Sequence, residues 1–218
     1  MRSPAVSDDL ATRRARDARP SPDPSAPARL RACLAELTAL HRHVCPRQVL
    51  GVRMGLYAGE LLGLDLPRSD KRVLVFVETD GCLADSISVA TGCWLGRRTL
   101  RLIDQGKTAA TFVDTVTGRA IRIRPQPTAR RRALDHAPDA PDRWHAQLDG
   151  YRIMPTAELL GAEPVTVVLD LDAIRSSPGK RAVCAECGED VINEREVIRD
   201  GTTFCRGCAG DRYYVPAE

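Results

Sequence analysis

The stretch "PRQVLGVRMGLYAGELL", residues 46–62, decides the fold because it reads as one long helix with a glycine at every fourth position. Pro46 suits the first helical position, where a backbone N–H has no intrahelical acceptor. Gly51, Gly55 and Gly59 each cost about 1 kcal/mol of helix propensity relative to alanine. A smooth stripe on one helix face, against which another backbone packs closely, would explain these glycines. The alternative is a shorter helix.

Further helices and strands are predicted on both sides of this helix. Leu30, Leu34 and Leu37 recur at helical spacing after Arg29, and Cys33 on the same stripe is most simply a core residue. The first helix should stop before Cys45, because Pro46 disfavours helical geometry there. Downstream, the patterns predict a buried strand at 72–78, a helix that ends at Gly92, a β-hairpin across 107–125 that turns at Thr117 and Gly118, a loop with a short helix at 125–150, and a strand at 164–172. Helices first and strands later favour an α+β fold with a mixed helix and antiparallel-sheet core.

Composition divides the chain into three parts. Residues 1–28 are rich in Pro, Ser, Ala, Asp and Arg and lack large apolar side chains, which predicts a disordered tail. Residues 29–176 are predicted to form the core domain, and residues 180–218 a separate cysteine module. No apolar run approaches the roughly 18 residues of a membrane span, and no secretory signal is recognisable. We therefore expect a cytoplasmic protein whose thiols are reduced.

Two Cys-x-x-Cys pairs lie in the C-terminal module, and their spacing is typical of a zinc site. The pairs are Cys184 with Cys187 and Cys205 with Cys208. Four thiolates complete a tetrahedral shell and leave no open position for a substrate, so the zinc should be structural. A module this small depends on the metal to fold.

The charge of this module bears on its partners. From residue 180 to 218 it contains six Lys or Arg and eight Asp or Glu, a net charge of −2. Phosphate backbones are bound by basic surfaces, so this charge argues against nucleic acid as a partner. Contact with a protein, or stabilisation alone, is favoured instead.

The stretch "LHRHVCPRQ", residues 40–48, brings two histidines and a cysteine together. In a strand, His41, His43 and Cys45 would all face one side, whereas in a helix only His41 and Cys45 would. Cys45 occupies an expected N-cap position, where unpaired N–H groups and the helix dipole favour a thiolate of low pKa.

A second cysteine lies near the predicted start of the next helix. Cys82 would gain the same bias towards a thiolate, and Asp85, one turn later, could orient an imidazole or join a metal shell. Cys93 follows that helix at its far end. Spacing alone is not diagnostic here, since buried structural cysteines are common.

Four segments together resemble one known family, the FmdE family associated with formylmethanofuran dehydrogenase. They are "HRHVCP", "GVRMGLYAGELLGL", "VFVETDGCLADSISVATGCWLGRRTL" and "DQGKTAATFVDTVTGRAIRI". The resemblance is close over residues 37–124, and "CAECGE" with "FCRGC" resembles the zinc finger that many members carry. It implies an α+β core, often a homodimer, followed by a treble-clef zinc finger. It also implies a cleft lined by His41, His43, Cys45, Cys82, Asp85, Cys93 and Lys107.

The chain departs from the family pattern beside these residues. The family usually reads Cys-Pro-Gly where this chain has Cys45, Pro46 and Arg47. Trp94, Arg97 and Arg98 replace residues of the family's second motif. Arg97, Arg98 and Lys107 could receive an anionic group, or they could form a solvated basic edge. The resemblance therefore supports a metal or thiol site more firmly than any substrate.

These observations lead to one functional hypothesis with two alternatives. We expect a zinc-containing accessory protein that handles a metal, sulfur or a cofactor at its His/Cys cleft, which could hold a second metal. It would support a molybdenum- or tungsten-dependent oxidoreductase. The alternatives are an enzyme that uses the cleft for thiol or metal-assisted chemistry, marked by a Cys45 of low pKa, and a zinc-finger regulator.

Overall fold

A computed structural model describes residues 27–175, 179–215 and 217. The tail predicted at residues 1–28 lies outside this part of the chain except for Pro27 and Ala28. The chain divides into two compact units, one ending at Val167 and the other beginning at Val168.

The first unit combines helices with a five-stranded sheet. Its elements are α1 (Ala28–His41), α2 (Pro46–Leu62), β1 (Val73–Val77), α3 (Cys82–Thr91), β2 (Leu100–Leu102), β3 (Ala110–Asp114), β4 (Ala120–Pro125), α4 (Ala129–His136), α5 (Arg143–Ile153), α6 (Thr156–Leu159) and β5 (Leu160–Val165). The strand order is β2-β1-β3-β4-β5. Within this sheet the β1–β2 pair is parallel, and the other three pairs are antiparallel. The predicted α+β class is confirmed.

The core lies between the helices and one face of the sheet. Val73, Val75 and Val77 alternate along β1, and all three are buried in the same apolar cluster as Phe112 of β3 and Ile123 of β4. Alternate residues of a strand share one face, so these side chains form a single apolar surface. The second helix packs on this layer and against α1, α3 and α5.

The predicted glycine stripe is confirmed, and it is where α2 meets α3. A Cβ added at Gly51 would lie 2.7 Å from the Leu83 carbonyl oxygen, and one at Gly55 would lie 2.6 Å from the Ala90 Cβ. Both distances are shorter than van der Waals contact, so only glycine lets the two helices approach this closely. Gly59 does the same for the chain after α2, where its added Cβ would lie 2.9 Å from the Leu64 carbonyl oxygen.

The order of these contacts fixes the relative direction of the two helices. Gly51 faces Leu83 and Ser86, whereas Gly55, one turn later, faces Ala90. Contacts that advance together along both chains mean that α2 and α3 run parallel. Their N-terminal ends therefore lie at the same end of the core, which is the end that carries Cys45 and Cys82.

Two predicted segments differ from the structure. The strand predicted at 164–172 is wrong, because β5 ends at Val165 and its pairing with β4 ends there, at Ala120. No further residue of β4 remains as a partner, and Val168 is 95% exposed. Residues 125–150 contain the helix α4 and most of α5, where one short helix is predicted.

The second unit is small and contains two hairpins. Its elements are α7 (Leu171–Arg175), β6 (Arg181–Val183), β7 (Asp190–Ile192), β8 (Val197–Arg199) and β9 (Thr202–Phe204). The strand β6 pairs with β7, and β8 pairs with β9, both antiparallel. Among the described residues of the chain, no helix is long and apolar enough to cross a membrane.

Candidate thiol site and zinc centre

The four C-terminal cysteines converge on one point. Cys184 and Cys187 lie in the turn between β6 and β7, and Cys205 and Cys208 follow β9. Their sulfur atoms all lie within 4.8 Å of one another, a separation that suits a tetrahedral shell with Zn–S bonds of about 2.3 Å. Backbone N–H groups of Cys187 and Cys205 lower the pKa of Cys184 to about 6, which favours a thiolate ligand. The residues therefore fit the predicted structural zinc.

In the first unit, Gln48 fixes the position of Cys45 as the N-cap of α2. The Cys45 N–H donates to Gln48 Oε1 over 2.7 Å, and the Gln48 backbone N–H donates to the Cys45 sulfur. This reciprocal pair is a capping box in which cysteine replaces serine or threonine. Gln48 is fully buried, so its amide serves Cys45 and not the solvent. The spacing Cys-x-x-Gln was the signal in the sequence for this positioning residue, and sequence reasoning missed it.

The Cys45 thiol lies beside the Cys82 thiol, and its pKa is raised to about 11. Burial is the largest cause, because it removes the water that would solvate a thiolate, and the adjacent Cys82 raises the pKa further. The N–H groups of Gln48 and Arg47 act in the opposite direction but do not outweigh burial. The low pKa predicted for Cys45 is therefore wrong, and Cys45 is a protonated thiol at neutral pH.

Two imidazoles lie at the same end of the core. His41 is the last residue of α1, and its Nε2 lies 2.9 Å from Asp85 Oδ2 on α3. His43 Nδ1 lies 2.9 Å from the carbonyl oxygen of His41, and the two rings meet edge to face at 6.1 Å between centroids. Carboxylate and carbonyl oxygens only accept, so the neutral rings carry their protons at His41 Nε2 and His43 Nδ1. Each imidazole therefore keeps one nitrogen with a free lone pair.

The structure does not bring all the predicted cleft residues together. Cys93 lies beyond the opposite end of α3, about 16 Å along the helix axis from Cys82 at 1.5 Å per residue. It is 2% exposed, and its thiol donates to the Val73 carbonyl oxygen over 3.4 Å. Lys107 is exposed and lies at the rim of a cavity that Cys45 also lines. Arg97 and Arg98 are not among the residues of that cavity.

A strongly basic cavity of about 580 Å³ opens beside Cys45. Its charged lining residues are Arg47, Lys107, Arg122, Arg124 and Arg130. No Asp or Glu is present among the described residues that line it, and Leu50, Trp144 and Tyr151 supply apolar and aromatic surface. The alternating arginines of β4 were the sequence signal for part of this lining. A larger cavity of about 990 Å³ elsewhere in the first unit contains none of the predicted cleft residues.

Most of these cations have no acidic neighbour. Arg122 is the exception, since Glu78 accepts from its Nε over 2.6 Å and from its Nη2 over 2.8 Å. This paired carboxylate raises the pKa of Arg122. Within the described part of the chain, no carboxylate forms an ion pair with Arg47, Lys107 or Arg124.

The fold and the sulfur geometry define the class first: an α+β protein with an appended four-cysteine zinc centre. Comparison with known families then agrees with the resemblance noted in the sequence. The family described as "FmdE, Molybdenum formylmethanofuran dehydrogenase operon" matches residues 40–160, more than half of the chain. The chain therefore belongs to the FmdE family. A second family, the "Prokaryotic dksA/traR C4-type zinc finger", matches residues 179–214.

Two individual proteins are similar to this chain. A curated protein of Archaeoglobus fulgidus, named "Probable S-adenosyl-L-methionine-binding protein", is 28% identical over 208 residues, which are 86% of this chain and 55% of that protein. The chain thus spans about half the length of this relative. A solved FmdE-like protein of tungsten formylmethanofuran dehydrogenase from Syntrophus aciditrophicus has a TM-score of 0.58 at 20% identity, over 85% of this chain and 95% of its own. The second likeness shows a shared fold.

Proposed function

We propose that the chain is a zinc-containing accessory protein whose His/Cys cleft handles a metal, sulfur or a cofactor in support of a molybdenum- or tungsten-dependent oxidoreductase. The single observation that carries this proposal is the meeting of the Cys45 and Cys82 thiols at the shared N-terminal end of α2 and α3. Membership of a family described by a formylmethanofuran dehydrogenase operon supplies the link to the oxidoreductase.

The chemistry of the cleft favours transient handling over a resident second metal. Two adjacent thiols are soft donors that suit Cu⁺, Zn²⁺ or a sulfur atom in transfer. His41 and His43 offer imidazole nitrogens at the same end of the core. In the described residues, however, the zinc centre is the one group of three or more His, Cys, Asp or Glu side chains arranged to hold a metal ion. A pair of thiols that binds and releases its cargo agrees with that arrangement.

The alternative of a thiol enzyme has less support from the geometry. A nucleophilic cysteine reacts as the thiolate, and burial keeps the proton on Cys45 at neutral pH. S-adenosylmethionine, the ligand in the name of the Archaeoglobus relative, carries a net positive charge. The basic lining of the cavity beside Cys45 disfavours such a ligand. We include in the proposal the cytoplasmic, homodimeric state that the family resemblance implies.

The test uses the full, zinc-loaded chain and Cd²⁺ as a soft probe ion. Wild type should take up an additional equivalent of Cd²⁺, with the ultraviolet absorption of thiolate-to-cadmium charge transfer. The Cys45→Ser/Cys82→Ser variant should lose this uptake and keep the zinc of the finger. Cys33→Ser, which removes a half-buried thiol from α1, is the matched control and should behave like wild type. Equal uptake in the double variant would refute the proposed thiol pair.

The accessory role needs a second measurement. The chain should be co-expressed with the molybdenum or tungsten oxidoreductase encoded beside it, and the metal and sulfur content of that enzyme should be compared with and without the chain. A lower content with Cys45→Ser/Cys82→Ser than with Cys33→Ser supports the role. Identical contents would refute it.

A further inference from the structure

We propose that the basic cavity beside Cys45 binds a small molecule that bears a phosphate, or a comparable doubly charged anionic group, on an aromatic or apolar body. The cavity of about 580 Å³ is the size of a small-molecule site, and such sites combine apolar walls with a few convergent polar groups. In this cavity every charged group of the lining is a cation.

The charge of the lining has no internal compensation beyond one ion-pair cluster. Glu78 binds Arg122 through two hydrogen bonds, and Glu163 accepts a third from Arg122 Nη1 over 3.1 Å. Arg122 is thereby held rigidly, and it forms a fixed wall of the cavity. The guanidinium and ammonium groups of Arg47, Lys107 and Arg124 form no ion pair with any described carboxylate. Like charges at one cavity repel one another, and a multiply charged anion is the partner that relieves this repulsion.

The cations come from four separate places in the chain. Arg47 is in the first turn of α2, Lys107 precedes β3, Arg124 is on β4, and Arg130 is in the first turn of α4. The Lys107 backbone is anchored, because its N–H donates to the Glu78 carbonyl oxygen over 3.2 Å. Convergence from separate elements distinguishes this cavity from a run of charges along one solvated helix face. Two helix N-terminal ends, those of α2 and α4, add favourable dipoles for an anion.

Aromatic and apolar groups define the rest of the ligand. Trp144 and Tyr151, both on α5, line the cavity with Leu50 of α2. The flat surface of a tryptophan suits a ring, and its indole reports on ligands by fluorescence. The anionic group is assigned to the arginines, and the body of the ligand to this apolar wall.

Cys45 lines the same cavity, so the other end of the ligand can reach the thiol pair. This last step rests on the proposed function of the thiols, whereas the anion site does not. Arg47 stands where the family usually has glycine, so the anion site is a property of this chain's own residues.

The test titrates the full, zinc-loaded chain with phenyl phosphate and with phenol as the neutral matched probe. Binding is followed by Trp144 fluorescence in a Trp94→Phe background, which leaves Trp144 as the single tryptophan, and by calorimetry on wild type. Phenyl phosphate should bind saturably and more weakly as salt rises, and phenol should bind far more weakly. Arg47→Gln and Arg130→Gln should each raise the Kd about 10-fold, which corresponds to about 1.4 kcal/mol.

Arg131→Gln is the charge-matched control, because Arg131 is exposed on α4 next to Arg130 and does not line the cavity. It should change the Kd by less than about twofold. Equal effects of Arg130→Gln and Arg131→Gln, or equal binding of phenol and phenyl phosphate, would overturn the anion site. Cys82→Ser should abolish Cd²⁺ uptake and leave phenyl phosphate binding intact, so the two proposals can fail separately.

Discussion

Replacing Gly51 by alanine probes the contact on which the thiol site is built. Gly51 lies where α2 crosses α3 most closely, and α3 places Cys82 beside Cys45. In an isolated helix the change is favourable by about 1 kcal/mol, because alanine has the higher helix propensity. The structure reverses that expectation.

The magnitude follows from the space around the new methyl group. Its carbon would lie 2.7 Å from the Leu83 carbonyl oxygen and 2.6 Å from Ser86 Oγ, whereas ordinary contact begins at 3.4 Å. The Leu83 carbonyl belongs to the backbone of α3, so it can withdraw only if the helix moves by about 0.7 Å. Overpacking of this kind costs about 1–3 kcal/mol. With a backbone atom as the obstacle we take the upper end, and after the propensity gain the net loss is about 2 kcal/mol.

Urea unfolding followed by tryptophan fluorescence measures this loss. Both tryptophans, Trp94 and Trp144, lie in the first unit, so the signal reports the core and not the finger. Gly96→Ala is the control, since nothing lies within 4 Å of an added Cβ there, and it should shift stability by less than about 0.5 kcal/mol. A Gly51→Ala protein as stable as wild type, or more stable, would refute the proposed close approach of the two helices.

Three further predictions concern charge, metal and thiol chemistry. Arg72 donates two hydrogen bonds of 3.0 Å to Asp114 and holds the pKa of that buried carboxyl below its usual range. Asp114→Asn should therefore lower the free energy of unfolding by about 2 kcal/mol at neutral pH, and this difference should shrink as pH falls below about 4, in urea unfolding at several pH values. A pH-independent difference would contradict it. Removal of zinc by a chelator, or by Cys184→Ser/Cys187→Ser, should collapse the dispersed amide NMR signals of residues 181–204, and their persistence would show that the finger folds without metal. Cys45 should react with iodoacetamide at neutral pH more slowly than a model cysteine peptide, and faster as pH rises, because burial raises its pKa; a rate equal to that of the peptide would count against burial as the cause.

Local patterns in the sequence were sufficient for much of the fold. The helix at Pro46–Leu62 has the predicted bounds, and Gly92 ends α3 with a φ of 75°, a conformation that suits glycine. The strand predicted at 164–172 failed for a reason that no local pattern contains. "VTVVL" has high strand propensity, but a strand needs a partner, and the pairing with β4 ends where that strand begins at Ala120.

The candidate site was only partly predictable. Sequence reasoning correctly gave Cys45 an N-cap position, but it assumed that the helix end would set the pKa. The extent of burial, which decides the sign of the shift, depends on how α1 and α3 pack around the thiol. The basic cavity was missed because Arg47, Arg124 and Arg130 are far apart in the chain and converge only through the tertiary fold.

The most direct measurement of the central claim is chemical cross-linking of thiols in the native, zinc-loaded chain. A short reagent that links two nearby thiols is added at mildly alkaline pH, and the products are mapped by peptide mass spectrometry. The account predicts a Cys45–Cys82 link as the main product, with no link from either residue to Cys33 or Cys93. Links that join Cys45 to other cysteines, or native protein that never links Cys45 to Cys82, would contradict it.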